Sequence, residues 1–231
     1  MQEPETITVQ GTELRRGSPM LIVATVCYAI LTGLALAALG TLPAAAETGE
    51  QVVTWFRQHR DGVRWAVWST TVAMPMLALM IARLRGMLPA PYRDVFYIGA
   101  VTFLATGAVW TWTWGGLALH ADRLEPATAR TVLDVALFWG PVLTGATTTM
   151  IAPVTWLALR GQAGLPWWLG ILGAAAFTEQ AIETITIFGS LGFTQPGGPM
   201  NMELGGGLTL VWLLAFAFWA GLRGSMQNAA L

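Results

Sequence analysis

Long apolar runs alternate with short polar connections along the whole chain. About 20 consecutive apolar residues are enough for a helix to cross the hydrocarbon core of a bilayer. The pattern therefore predicts an all-α integral membrane protein, a bundle of six transmembrane helices. The predicted spans cover about residues 20–42, 64–85, 95–119, 131–159, 165–191 and 206–222.

The two ends of the chain are polar, and both are predicted to be tails outside a single membrane domain over residues 20–224. Residues 1–19 are predicted to be flexible, and residues 225–231 form a second, shorter tail. The segment Ala44-Ala45-Ala46 resembles a signal-peptidase site. However, the apolar run before it is longer than the about 7–15 residues of a signal sequence, which favours an uncleaved first span.

Composition supports a membrane protein and excludes several other classes. Charged residues make up 11% of the chain, against about 25% in soluble domains. A net charge of −1 with scattered arginines argues against nucleic acid as a partner. All twelve basic residues are Arg, so Schiff-base chemistry on a lysine is excluded. The richness in Ala, Arg and Gly indicates a bacterial protein, and hence a multi-pass protein of the bacterial inner membrane.

Arginine positions predict the orientation of the bundle, because cytoplasmic loops carry an excess of basic residues. If the N terminus is cytoplasmic, seven arginines lie on the cytoplasmic side of the membrane and five lie on the outer side. The inner set comprises Arg15, Arg16, Arg83, Arg85, Arg93, Arg160 and Arg223. Both termini are therefore predicted to be cytoplasmic.

The fifth run contains the acidic residues Glu179 and Glu183, with Gln180 between them. A charge at the centre of a bilayer costs at least about 2.5–3.5 kcal/mol. The two acids share one face of a helix, about 6 Å apart along its axis. No arginine lies inside any apolar run. The acid pair must therefore be protonated, face water or hold a cation.

The fourth run is irregular, with Gly140-Pro141 and Pro153 on either side of a threonine-rich segment. It runs antiparallel to the fifth, so Thr144, Thr147 and Thr148 are predicted near the depth of Glu179. Helices interrupted by proline and glycine are typical of transporter binding sites. The alternative is that small residues and threonines pack the helices closely together.

Six tryptophans are predicted in the outer half of the bundle. We predict that Trp110, Trp114 and Trp139 form the wall of a pocket leading to the acids. The alternative is an aromatic belt at the membrane interface, which is common to membrane proteins.

Motifs for other chemistry are weak. The chain has two histidines and a single cysteine, and it lacks a Glu-x-x-His pair, so no metal site is predicted. It also lacks a nucleophile elbow and a glycine-rich phosphate loop, so no cofactor is predicted.

Three functions remain open. The first is transport or binding of a small molecule, proton or cation by Glu179, Glu183, Gln180 and the threonines. The second is an intramembrane enzyme that acts on a lipid or prenyl substrate, with a carboxylic acid as proton donor and tryptophan faces that stabilise a carbocation. The third is an accessory subunit of a membrane complex. The predicted partners are the lipid bilayer, a small-molecule or lipid ligand, and either a second copy or a complex partner. We favour the first function because intramembrane acids are usually functional.

Overall fold

The computed structural model describes residues 18–189 and 192–228, excepting the side chains of residues 224–228. Throughout these ranges the chain is all-helical, without a strand. Residues 1–17 of the predicted N-terminal tail lie outside the described residues. The last helix continues to Asn228, into the segment predicted as the C-terminal tail.

Eight α-helices make up most of the described chain. They are α1 Pro19–Leu39, α2 Gly49–Gln58, α3 Arg60–Arg85, α4 Tyr92–Leu119, α5 Pro126–Leu137, α6 Trp139–Leu159, α7 Trp167–Glu183 and α8 Gly206–Asn228. A 3-10 helix over Thr184–Phe188 extends α7, a second one covers Gly192–Thr194, and a π-helix over Met200–Gly205 leads into α8.

Six helical segments are long and apolar enough to cross a membrane, which confirms the six-helix prediction. They are Pro19–Leu39, Arg60–Arg85, Tyr92–Leu119, Pro126–Leu159, Trp167–Phe188 and Met200–Arg223. The sixth span begins earlier than predicted because the turn-rich segment before the glycines is itself helical. The fourth span combines α5 and α6, which are separated only by Phe138.

Helix starts are fixed by side chains that accept hydrogen bonds from free backbone N–H groups. Ser18 caps α1, and Thr48 forms a capping box with Gln51 at the start of α2. Glu125 accepts a bond from the Thr128 backbone at the start of α5. This hydrogen bond, with a weaker contribution from the Ala127 N–H, lowers the pKa of Glu125 below its ordinary value.

The two ends of the bundle are tied by arginines. We call the end where α1 begins the proximal side and the end where α1 finishes the distal side. On the proximal side Arg85 pairs with Asp94 at 2.9 Å, and Arg223 donates to the Gly164 carbonyl. On the distal side Arg60 pairs with Asp122 at 2.6 Å.

Two apolar clusters fill the interior. The proximal cluster joins residues of all six spans, including Leu77, Met150 and Phe216. The distal cluster lies beneath α2 and α5 and includes Phe56 and Trp114. Helix α2 is therefore part of the packed bundle, with its apolar face buried against α5.

Large apolar side chains also cover the outside of the bundle. Trp112, Ile98, Val142 and Ile171 are each more than half exposed. A water-soluble surface rarely carries so much contiguous apolar area. Together with the six apolar spans, this surface identifies the chain as a multi-pass membrane protein.

Candidate functional site

A cavity of about 770 Å³ lies in the distal half of the bundle. All six spans contribute to its lining. One lining residue from each span, in chain order, is Tyr28, Met74, Trp110, Leu143, Glu183 and Thr209. The connections over residues 40–44 and 195–199 line its distal end. Packed apolar residues lie on its proximal side, because Leu77 and Leu213 line the cavity and also belong to the proximal cluster.

The two acids of α7 are buried beside this cavity and are joined by one amide. Glu179 is 8% exposed and Glu183 is 2% exposed. Gln180 Nε2 donates to Glu179 Oε2 at 3.0 Å and to Glu183 Oε2 at 2.5 Å. Gln180 and Glu183 both line the cavity. The acid pair thus faces the bundle interior and leaves the lipid-facing surface apolar.

Asn201, which was not among the predicted site residues, is the second amide of the site. Its Nδ2 donates to Glu183 Oε1 at 2.5 Å and to Thr186 Oγ1 at 3.1 Å. The Gly197 N–H donates to Asn201 Oδ1 at 2.9 Å. Because a backbone N–H can only donate, this bond fixes the Asn201 amide with its NH₂ group toward Glu183. The signal available in the sequence was a single asparagine between a Gly/Pro-rich turn and the last span.

Gly205 brings the start of the sixth span against the acids. A Cβ atom there would overlap Glu183 Oε2 and would lie 2.6 Å from Gln180 Nε2 and 2.8 Å from Glu179 Oε2. These separations are too short for non-bonded atoms, so only glycine permits this approach. The π-helical turns of Met200–Gly205 place both Asn201 and Gly205 at the site. Such turns are frequent at functional sites.

Of the three threonines predicted for the site, only Thr147 contacts its polar groups. The Thr147 hydroxyl is hydrogen-bonded to Gln180 Oε1. Thr144 and Thr148 instead bond to backbone carbonyls of α6. They line a shallow groove on the outer surface between α6 and α7. Gln180 also lines this groove, so Thr144 and Thr148 lie on the other side of Gln180 from the cavity that Thr147 lines.

Two of the three predicted tryptophans line the cavity. Trp110 and Trp139 are neighbours with ring centroids 5.8 Å apart, and both are lining residues. Trp139 Nε1 donates to the Thr106 carbonyl at 2.9 Å. Trp114, the third, is not among the lining residues of this cavity. It is fully buried in the distal cluster, packed against Phe56 and Trp110.

The ionisable side chains of the cavity lining are acidic. Its described lining contains Glu183 and the exposed Glu203 but no arginine or histidine. The nearby Arg130 is paired with Asp134 and also donates to the Ala44 carbonyl. The described part of the chain has no group of three or more His, Cys, Asp or Glu residues arranged to hold a metal ion.

Two buried polar atoms at the site have no hydrogen-bond partner among the residues that the structure describes. They are Glu179 Oε1 and the Thr209 hydroxyl. Most threonines in these helices bond to a carbonyl one turn earlier, as Thr111 does with Gly107. Thr209, which lines the cavity, retains free hydrogen-bonding capacity there. No protein-family model, curated protein or solved structure matches the chain.

Proposed function

We propose that the chain is a membrane transport or binding protein that takes up a proton, a cation or a small molecule at Glu179 and Glu183. The observation that carries the proposal is the cavity lined by Glu183, whose described lining contains no positively charged side chain. A buried carboxylate without a cationic partner costs free energy, unless it binds a proton or a cation. A cation in the cavity would supply the missing charge.

The surrounding residues hold the acids in position for such an occupant. Gln180 and Asn201 donate to the two oxygens of Glu183, and both amides are neutral. Glu183 is thereby oriented by neutral donors, without a positively charged partner. Thr147 holds Gln180 from α6, which links the acids to the irregular fourth span.

The two ends of the cavity have different surroundings. The cavity meets connecting segments on the distal side and packed apolar residues on the proximal side. Release to the proximal side would require the proximal cluster to repack around α8. The π-helical turns and the three glycines at the start of the sixth span are the candidate moving part, because glycine lowers the cost of backbone rearrangement.

We place the protein in a bacterial inner membrane with both termini in the cytoplasm, as the arginine distribution favours. The cavity then opens toward the outside of the cell. The lipid bilayer is the partner that covers exposed apolar side chains such as Trp112 and Ile171.

Charge movement in proteoliposomes adsorbed on a solid-supported membrane tests this proposal. Steps in the concentration of protons, sodium or a small amine should produce a current in the wild type. The current should disappear in Glu183→Gln and Glu179→Gln. The control is Glu50→Gln, which removes an exposed acid of α2. Equal currents in the wild type and in both site variants would contradict the proposal.

The enzyme function stays a second candidate because Trp110 and Trp139 line the same cavity as Glu183. Indole faces near an acid suit a reaction with a carbocation intermediate. Incubation with lipid or prenyl substrates, followed by mass spectrometry, separates the two functions. A product that forms with wild type and not with Glu183→Gln would favour the enzyme.

A further inference from the structure

We infer that the cavity binds an organic cation, a molecule with an ammonium group at one end and an apolar body at the other. The inference rests on the proposed function and narrows its three kinds of occupant to one chemical class. Four properties of the cavity carry it: its volume, its apolar wall, its acidic lining without a basic side chain, and a buried hydroxyl with no partner.

The volume suits a molecule larger than a single ion. Pockets for drug-sized ligands have about 300–1,000 Å³, and this cavity has about 770 Å³. Inorganic cations are held by several oxygen ligands close around the ion. Here the carboxylate that lines the interior, Glu183, already accepts bonds from Gln180 and Asn201.

The wall of the cavity is mostly apolar. It includes Leu36, Leu77, Phe103 and Leu213. Water gains little from such surfaces, whereas an aliphatic or aromatic group that covers them gains about 25 cal/mol per Å² removed from water. The occupant should therefore carry an apolar body.

The polar end of the cavity selects for positive charge. Glu183 lies inside and Glu203 lies in the exposed part of the described lining, which holds no basic side chain. An ionised carboxylate has about four lone-pair positions, and the two amides that donate to Glu183 use two of them. An ammonium group can occupy a remaining position.

Trp110 and Trp139 add a second attraction for the same charge. A cation within about 6 Å of an indole ring is attracted to its face. The hydrogen bond from Trp139 Nε1 to the Thr106 carbonyl holds this ring in place. Because Trp110 and Glu183 line the same cavity, one cation can be recognised by both.

Thr209 distinguishes two kinds of ammonium group. Thr209 lines the cavity, and its hydroxyl is buried without a partner within the described ranges, so an occupant reaches this oxygen only when the Thr209 side chain rotates toward the cavity. A primary ammonium can donate a hydrogen bond to this oxygen, and a quaternary ammonium cannot. The site should therefore prefer a primary amine through Thr209.

Calorimetric titration of the full chain in nanodiscs of zwitterionic lipid tests the inference. The probes are benzylammonium, benzyltrimethylammonium and the uncharged benzyl alcohol. Both cations should bind, and benzyl alcohol should bind at least about tenfold more weakly because it lacks the charge. Trp110→Leu should weaken both cations by about tenfold. The control Trp112→Leu, on the exposed face of the same helix, should leave both affinities unchanged.

Thr209→Val gives the sharpest comparison, because valine has nearly the same shape and no bond within the described protein is lost. It should weaken benzylammonium by about tenfold, as for a hydrogen bond to a charged group. The affinity for benzyltrimethylammonium should stay the same. Thr209→Val therefore still tests the inference if the Glu183→Gln variant does not fold.

The remaining outcomes separate failure of the inference from failure of the proposed function. Equal affinity for benzyl alcohol and benzylammonium overturns the inference, and the cavity is then a site for neutral molecules. Charge movement with protons or sodium, without binding of either ammonium, also overturns it but leaves the proposed function standing. No binding and no charge movement with any probe overturns both.

Discussion

Asn201 Nδ2 lies 2.5 Å from Glu183 Oε1, and this hydrogen bond joins the start of the sixth span to the end of α7. The orientation of Asn201 is set in turn by the backbone N–H of Gly197. The connection between the fifth and sixth spans is therefore coupled directly to the buried acid. A change in the charge of Glu183 acts on the loop that lines the distal end of the cavity.

Replacement of Asn201 by alanine should destabilise the protein. It removes the donor to Glu183 and leaves the Gly197 N–H without its acceptor. Each buried polar group left without a partner costs about 1–3 kcal/mol. Thermal unfolding in detergent should show a lower midpoint than wild type. The control is Gln162→Ala, an exposed amide on the proximal side. Equal midpoints for the two variants would show that the Asn201 bond is unimportant.

Replacement of Gly205 by alanine should push α8 away from the acids. The added methyl group would overlap Glu183 Oε2 and crowd Gln180 Nε2. We expect a lower unfolding temperature and loss of ligand response. Gly207→Ala is the matched control, because a Cβ at Gly207 meets nothing within 4 Å. There alanine should stabilise the helix by about 0.5–1 kcal/mol.

The comparison of Gly205→Ala with Gly207→Ala is informative because both add the same methyl group within one turn of the same helix. Similar effects of the two variants on stability would contradict the close approach at Gly205. Loss of ligand response in both would instead point to a general need for glycine flexibility at the start of α8.

Glu179→Gln and Glu179→Ala separate a site that handles charge from a structural hydrogen-bonding residue. Glutamine keeps an oxygen that can accept from Gln180 Nε2, the bond that Glu179 Oε2 accepts in the wild type. It removes only the ionisable group. A site that binds a proton or cation should lose its response in Glu179→Gln while the fold survives. Charge movement and circular dichroism measure the two effects.

Glu179→Ala removes the acceptor altogether and should cost about 1–3 kcal/mol of stability. A charge-handling role for Glu179 is rejected if Glu179→Gln changes neither folding nor charge movement while Glu179→Ala impairs folding. The acids would then be structural, as in an accessory subunit of a membrane complex.

The sequence predicted the six spans and the acidic face of α7 because both depend on local properties. Apolar length determines a span, and the spacing of Glu179 and Glu183 places them together on any helix. The central role of Asn201 and Gly205 depends on π-helical turns and on contact between distant parts of the chain. Neither feature leaves a periodic signal in the sequence.

Trp114, Thr144 and Thr148 are not among the lining residues of the cavity. Trp114 was predicted at the cavity wall, but α2 and α5 pack over it and build the distal cluster around it. Thr144 and Thr148 were predicted near the depth of Glu179, and in the structure they line the groove between α6 and α7 together with Gln180. The burial partner of a helix face is decided by tertiary packing, which periodicity alone does not specify.

The orientation of the bundle is testable with two glutamines on opposite sides. Gln58 ends α2 on the distal side, and Gln162 lies in the connection between α6 and α7 on the proximal side; both side chains are exposed. In a chain with Cys27→Ala, we introduce Gln58→Cys or Gln162→Cys separately. A membrane-impermeant maleimide added to intact cells should modify the first variant and spare the second.

This result follows from the arginine excess on the proximal side, which favours retention of that side in the cytoplasm. Permeabilised cells provide the control, since both variants should then react. Glu50→Cys, at a second exposed position on α2, should behave as Gln58→Cys does. If only Gln162→Cys is modified in intact cells, the bundle has the orientation opposite to the predicted one. The cavity and Glu183 would then open to the cytoplasm, and an extracellular ligand would have no direct route to the acids.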